Sequence, residues 1–271
     1  MQSRSLGRVL IIAGSDSGGG AGVQADIKTV TMLGGYAATA ITAITVQNTL
    51  GVSAVHPIPP DVVRAQAQAV LDDIGADAIK TGMLGRRAMV EAVAAVLDAA
   101  AGVPAVIDPV MIAKGGQSLL SDKALDAILN LLVPRAALLT PNAAEAEALT
   151  GIAVGDLDGQ RRAGEALLAL GARAVLVKGG HVPGAQVIDL LLTPSGETLL
   201  EGPRVDSRHT HGTGCTLASA CAAGLAQGLK LEDAVARAWA YTAEAIRRAP
   251  GLGGGHGPLD HGWPLRDARD P

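Results

Sequence analysis

Residues 8–33 read RVLIIAGSDSGGGAGVQADIKTVTML. Residues 8–13 are an apolar run without alternation, as expected of a strand buried on both faces. The next nine residues, Gly14 to Gly22, include five glycines, and helical spacing then holds over residues 21–33. Strand, glycine-rich turn and helix in that order open a β–α–β unit, which implies a parallel sheet with helices on both faces. Five glycines exceed the need of a tight turn, so this loop is expected to bring backbone against a ligand. No Lys follows them as in a phosphate loop, and the dinucleotide spacing is absent.

Outward from this unit the alternation repeats. Strands are predicted at 39–45, 52–57, 78–81, 105–108, 137–140 and 174–178. Helices are predicted at 60–74, opened by Pro60 and Asp61, at 86–101, at 121–132 capped by Ser121, at 142–150 and at 160–170. Residues 186–200 differ: two apolar runs flank Thr193-Pro194-Ser195-Gly196, a hairpin turn. Two helices, 212–227 and 232–248, close the pattern, and the Gly- and Pro-rich stretch from Gly251 is expected to be irregular. The predicted fold is therefore α/β, a mostly parallel central sheet between helical layers with an antiparallel hairpin at one edge. With no repeat or linker, residues 1–271 read as one domain. In such sheets ligands bind at the carboxyl ends of the strands.

Composition bounds the function. Of 271 residues, 48% are hydrophobic, enough for a substantial core. The net charge of −4 and the absence of long like-charge runs argue against nucleic acid or anionic membrane as partners. Two Trp, two Tyr and no Phe leave little for base stacking. No segment is long and apolar enough for a bilayer, and residues 1–16 lack the apolar core of a signal peptide. Cys215 and Cys221, six positions apart on one predicted helix, are too distant for a disulfide. A reducing cytoplasm is expected.

Candidate chemistry sits just after the predicted strands. In Thr210-His211-Gly212-Thr213-Gly214-Cys215, two glycines precede an apolar helix, so converging N–H groups and the helix dipole make an anion site. Cys215 falls in the first turn, where the dipole is expected to lower its pKa; Cys221 reads as core. Lys178, before two glycines, can reach phosphate as a point charge. Asn142 and Glu145 form a capping box, or place a carboxylate near a metal–phosphate cluster, as Asp108 also would. Asp26, one turn into the first helix, reads on its own as a solvated position. His181, His209 and His211 read as surface histidines. Zinc spacing and a nucleophile elbow are absent.

Together these segments resemble one family. AGSDSGGGAGVQADIKT (13–29), ITAITVQNT (41–49), KTGML (80–84), DPVMIAKGG (108–116), TPNAAEAEAL (140–149), VKGGH (177–181) and THGTGCTLASA (210–220) follow the order seen in hydroxymethylpyrimidine/phosphomethylpyrimidine kinases of thiamine biosynthesis. The resemblance implies a ribokinase-like three-layer α/β/α fold, ATP and Mg²⁺, and phosphoryl transfer to a hydroxymethylpyrimidine and to its monophosphate. It implies that Gln47 reads the pyrimidine, that Asp26 holds ring substituents, and that Gly14, Ala21, Met83 and Val110 line the pocket. Gly212, Thr213 and Gly214 would form the anion hole, with Cys215 as base. Lys178, Asn142 and Thr210 would serve ATP, and Glu145 and Asp108 the metal. Family members are commonly dimers, so a homodimer is expected. The first loop departs from many relatives, with Ser17-Gly18 where they carry Pro-Ser. A pyridoxal kinase of the same superfamily is the alternative, followed by a non-catalytic pyrimidine-binding protein.

Overall fold

The computed structural model describes residues 6–111 and 122–267. Its main sheet has eight strands: β1 (Arg8–Ala13), β2 (Tyr36–Ile41), β5 (Ala78–Thr81), β6 (Ala105–Ile107), β7 (Leu138–Leu139), β8 (Val175–Val177), β9 (Gln186–Thr193) and β10 (Gly196–Pro203). Their spatial order is β10-β9-β8-β7-β6-β5-β1-β2. The six strands from β8 to β2 run parallel, and β9 and β10 form the expected antiparallel edge hairpin.

Alternate residues of the strands enter two separate cores. Leu10, Ile12, Ile79, Ile107, Leu139, Val175 and Val177 pack on one face. That face is covered by α2 (Pro60–Asp73), α3 (Arg87–Ala99), α5 (Ala143–Thr150) and α6 (Leu157–Ala169). Val9, Ile11, Ala78, Val106, Leu138 and Leu176 pack on the other, under α1 (Gly22–Met32), α7 (Thr213–Ala226) and α8 (Leu231–Arg247). Because every central strand is buried on both sides, its sequence is a continuous apolar run rather than an alternation. With almost no aromatic residues available, Ala, Val, Leu and Ile fill both layers.

Two expectations change. The run at 39–45 is not one strand. The chain leaves the main sheet after Ile41 and starts β3 (Ala43–Asn48), which pairs antiparallel with β4 (Gly51–Pro57) as a separate two-stranded sheet. Thr42 pins the crossing: its N–H donates to Ala13 O, its carbonyl accepts from Ile58 N, and its hydroxyl donates to Met83 O. The helix expected over 121–132 is composite, with α4 (Asp122–Ala127) passing into a π-helical turn over Ile128–Leu132 and a 3-10 turn over Val133–Arg135. Its expected cap, Ser121, lies outside the described residues. The stretch after Gly251 is irregular until the short α9 (Trp263–Asp267). It is tied down by His256 N–H to Thr49 O and His211 N–H to Gly257 O. No helix among the described residues is long and apolar enough to cross a membrane.

Candidate active site

The parallel strands end at one edge, and a cleft of about 370 Å³ opens there. Gly14, Ala21, Gln47, Met83, Asp108, Val110, Asn142, Glu145, Lys178, Thr210, Gly212, Thr213, Gly214 and Cys215 all line it. Every residue expected at the site is thus brought together, with one exception, Asp26.

Asp26 stands beneath the cleft, not in it. Its carboxylate is wholly buried, accepts from Lys80 Nζ at 2.9 Å through both oxygens, and accepts from Ser219 Oγ at 2.7 Å. Three of its acceptor positions are thus taken by Lys80 and Ser219, and the residue lies outside the lining of the cleft. Lys80, which the sequence reading passed over, does line the cleft. Burial alone would strip its proton, but Asp26, with Cys215 and Asp108 adding to it, holds the ammonium charged and raises its pKa.

The start of α7 contacts the first loop. Gly212 is its N-cap at φ 86°, and a Cβ there would fall 1.8 Å from Gly20 O. Only glycine allows this conformation and this approach together. Gly22, at φ 55°, does the same for α1, where a Cβ would meet Gly14 O at 2.4 Å. The first-turn N–H groups of a helix lack intrahelical acceptors, so the Gly212 turn presents a positive end to the cleft.

Lys178 faces that end. A Cβ added to Gly214 would lie 3.2 Å from Lys178 Nζ and 3.6 Å from Asp108 Oδ2. Nζ donates to Asp108 Oδ1 at 3.0 Å and stands 3.9 Å from Glu145 Oε2. Burial works against its charge, yet the two carboxylates keep its pKa raised. The Asn142–Glu145 capping box is present, with both reciprocal bonds. It does not exclude the second role: burial, with Asp108 nearby, pushes Glu145 up to about 7 against the pull of Lys178. Behind Lys178, buried Asp189 accepts from Gly179 N–H at 2.7 Å and so fixes the turn that carries the lysine.

The thiol corrects an expectation. Helix-dipole reasoning placed the Cys215 pKa below its usual value. Desolvation instead pushes it up to about 12; Lys80 and the Gly22 N–H favour ionisation, Asp26 and Asp108 oppose it, and burial decides. Both cysteines are free, and Cys221 is core.

Two further residues at the site were missed. Asp16, in the first loop, accepts N–H bonds from Gly18, Gly20 and Ala21 at 2.8, 3.1 and 2.8 Å. Burial opposes its charge, but the His211 bond and these amides hold its pKa low. His211, expected at the surface, is 7% exposed and lies between Asp16 and Gln47. Neither contact could be read locally, since 195 positions separate Asp16 from His211.

A magnesium ion is compatible with these residues. Asp108 and Glu145 approach one cation from two sides, and Mg²⁺ commonly takes only one or two carboxylates, completing its shell with phosphate and water. No group of three or more His, Cys, Asp or Glu is placed to hold a metal among the described residues.

An α/β/α sheet whose carboxyl edge joins a glycine-rich loop, a helix N-terminus and a lysine–carboxylate cluster defines a small-molecule kinase of the ribokinase-like fold. The chain matches the family model described as phosphomethylpyrimidine kinase over residues 16–260, and it belongs to that family. It is 51% identical to the hydroxymethylpyrimidine/phosphomethylpyrimidine kinase of Streptomyces coelicolor over 95% of both chains. An ADP complex of Bacillus subtilis pyridoxal kinase superposes with a TM-score of 0.89 at 36% identity, covering 95% of this chain and 98% of that one. A phosphomethylpyrimidine kinase structure from Clostridium difficile gives 0.79 at 39% identity, over 88% and 99%.

Proposed function

We propose that the chain transfers the γ-phosphoryl of ATP to the hydroxymethyl group of 4-amino-5-hydroxymethyl-2-methylpyrimidine, and then phosphorylates the monophosphate. The observation that carries this is the meeting of Lys178 with Gly214, because it sets a cation against a helix N-terminus in the same cleft as Gln47. Phosphoryl transfer asks a protein for position and charge stabilisation and little covalent chemistry.

In this reading Gln47 pairs through its amide with the amino-pyrimidine edge, and Gly14, Ala21, Met83 and Val110 shape the apolar walls. The N–H groups of the Gly212–Thr213–Gly214 turn and the Lys178 ammonium neutralise charge on the transferred group, each well-placed donor being worth about 3 kcal/mol. Asn142 and Thr210 serve the nucleotide. Asp108 and Glu145 would hold Mg²⁺, which supplies charge neutralisation on the phosphates when bound. Cys215 accepts the alcohol proton as the thiolate, its own proton having first passed to solvent. A loose transition state leaves the alcohol proton in place until late, but the acceptor must be ionised by then, and burial, which pushes the thiol up to about 12, makes that form scarce. Lys80, anchored by Asp26, keeps a positive charge beside that thiol.

The whole chain acts as one kinase unit in this reading. Two free thiols suit a reducing cytoplasm. A homodimer is supported by the apolar residues Ile44, Val46 and Leu50 exposed on the β3–β4 sheet.

The test is ADP release with hydroxymethylpyrimidine, its monophosphate and pyridoxal in parallel. Turnover on the two pyrimidines, with Gln47→Ala raising their KM about tenfold through loss of a hydrogen bond, is expected. Turnover on pyridoxal alone would replace this reading with the second one, which rests on the TM-score of 0.89 to a pyridoxal kinase. ADP release with none of the three would sink both.

A further inference from the structure

His211 occupies a place that the kinase reading leaves unused. Its Nε2 lies 2.8 Å from Asp16 Oδ2 and 3.1 Å from the atom placed as Gln47 Nε2. Asp16 already collects three backbone N–H bonds, so it is an ionised acceptor. A carboxylate at 2.8 Å requires a proton on the ring nitrogen that faces it. Nε2 carries that proton in the neutral Nε2–H tautomer and in the imidazolium alike. It therefore has no lone pair to offer a Gln47 N–H.

The two ends of a glutamine amide are assigned from the hydrogen-bond network around them. Turning the Gln47 amide by 180° puts its oxygen toward His211 and its nitrogen 3.4 Å from Thr45 Oγ1. Thr45 Oγ1 gives its own hydrogen to Ser15 O at 2.8 Å and keeps a lone pair for the amide nitrogen. The Nε2 hydrogen then faces two acceptors, Asp16 Oδ2 and the Gln47 oxygen, and one Gln47 N–H faces Thr45 Oγ1. The Gln47 main chain is held separately, since its N–H donates to Ser17 Oγ at 2.8 Å and its carbonyl accepts from the same hydroxyl at 2.6 Å. What remains for the imidazole to decide is which end of the amide lies on which side.

We infer that His211, itself held by Asp16, is a positioning residue that locks the Gln47 carboxamide with its oxygen toward His211 and its nitrogen toward Thr45. The order of acceptor and donor across the cleft is thereby fixed. A heteroaromatic edge with a ring nitrogen beside an exocyclic amino group is complementary to it in one orientation. This deepens the proposed function and, for the substrate, rests on it.

Two measurements test the assignment. Nitrogen-15 NMR of the ligand-free protein reads the tautomer directly, whatever the enzyme acts on. A protonated Nε2 is expected, and a bare Nε2 beside a protonated Nδ1 overturns the assignment. Kinetics then compare His211→Asn with His211→Gln. Asparagine cannot reach the Nε2 position, and the KM for hydroxymethylpyrimidine should rise about tenfold, with kcat and the KM for ATP within about twofold of the parent. Glutamine places an N–H where Nε2 lies and should restore the KM to within about threefold. The parent's preference for the 4-amino compound over its 4-hydrogen analogue should shrink in His211→Asn alone. Equal behaviour of the two variants, or a joint fall in kcat, ATP affinity and melting temperature, would reduce His211 to a structural contact. A parent inactive on pyrimidines would sink the kinase reading but leave the NMR result standing.

Discussion

The Cys215 thiol makes the sharpest quantitative test. Its surroundings push the pKa up to about 12. At pH 8 the thiolate is then about one part in 10⁴, from the ordinary titration relation. If the base must ionise before transfer, kcat/KM for hydroxymethylpyrimidine at saturating ATP should climb about tenfold per pH unit and reach no plateau by pH 9.5, since kcat/KM reports the enzyme before the alcohol binds. If no thiolate takes part in the transfer, the profile stays flat across that range. In the first case Cys215→Ala should lower kcat about 10²–10⁴-fold, the usual value of a general base, with little change in KM. The assay is coupled ADP release from pH 6.5 to 9.5, parent against Cys215→Ala and Cys215→Ser. A climbing parent profile that is lost in the alanine variant supports the thiolate base, and a flat parent profile refutes it. A sigmoid with a midpoint near 7 that vanishes in Cys215→Ala would show that Lys80 and the α7 dipole outweigh burial after all. Turnover of Cys215→Ala within about threefold of the parent would remove the cysteine from the chemistry.

Three further outcomes follow from buried charges. Asp26→Asn strips the partner from Lys80, a side chain with no exposure, and should cost about 3–5 kcal/mol in urea unfolding, whereas Asp26→Leu combined with Lys80→Met should recover most of it. A double variant no more stable than Asp26→Asn would refute that account. Asp189 has its pKa raised by burial to about 6, against about 4 unfolded. A raised carboxylate stabilises the fold fully below the unfolded pKa and loses that contribution as pH rises through the folded one. The parent should thus lose roughly 2–3 kcal/mol relative to Asp189→Asn between pH 4 and 6.5, and a stability difference independent of pH in melting curves would contradict the assignment. Lys178→Met should lower kcat about 10²–10³-fold while pyrimidine binding in calorimetry stays within about twofold; a lost pyrimidine affinity would place the lysine on the wrong ligand.

Much of the fold is legible in local sequence because the central strands are buried on both faces. Their apolar runs at 8–13, 78–81 and 174–178 stand out against amphipathic helices, and the strands begin or end within about a residue of those runs. The Asn142–Glu145 box and the turn at 193–196 were equally readable, since each is satisfied by bonds between near neighbours. The break at Thr42 was not. Strand propensity runs unbroken from Thr39 to Thr45, and the change of sheet is imposed by Ala13, Ile58 and Met83, which are remote in sequence.

The same division explains the site. Gly212, Lys178 and Cys215 announce themselves because glycine spacing and strand ends are local features. Asp16 and His211 act through each other, and their pairing is a property of the fold.

Lys80 lies between these extremes, and parity could have found it. In Ala78-Ile79-Lys80-Thr81, Ala78 and Lys80 point to the same side, and Ala78 packs in the core under α1 and α7. Lys80 must then meet an acid on one of those helices or remain an unpaired buried charge. Along α1, Val23, Asp26 and Val30 recur at i, i+3 and i+7, so they share the buried face. An acid on a buried helical face and a lysine on the strand face beneath it require each other, because either alone would cost several kcal/mol. That requirement, worked from the two periodicities, assigns Asp26 to Lys80 and makes it the anchor of a charge that faces the cleft.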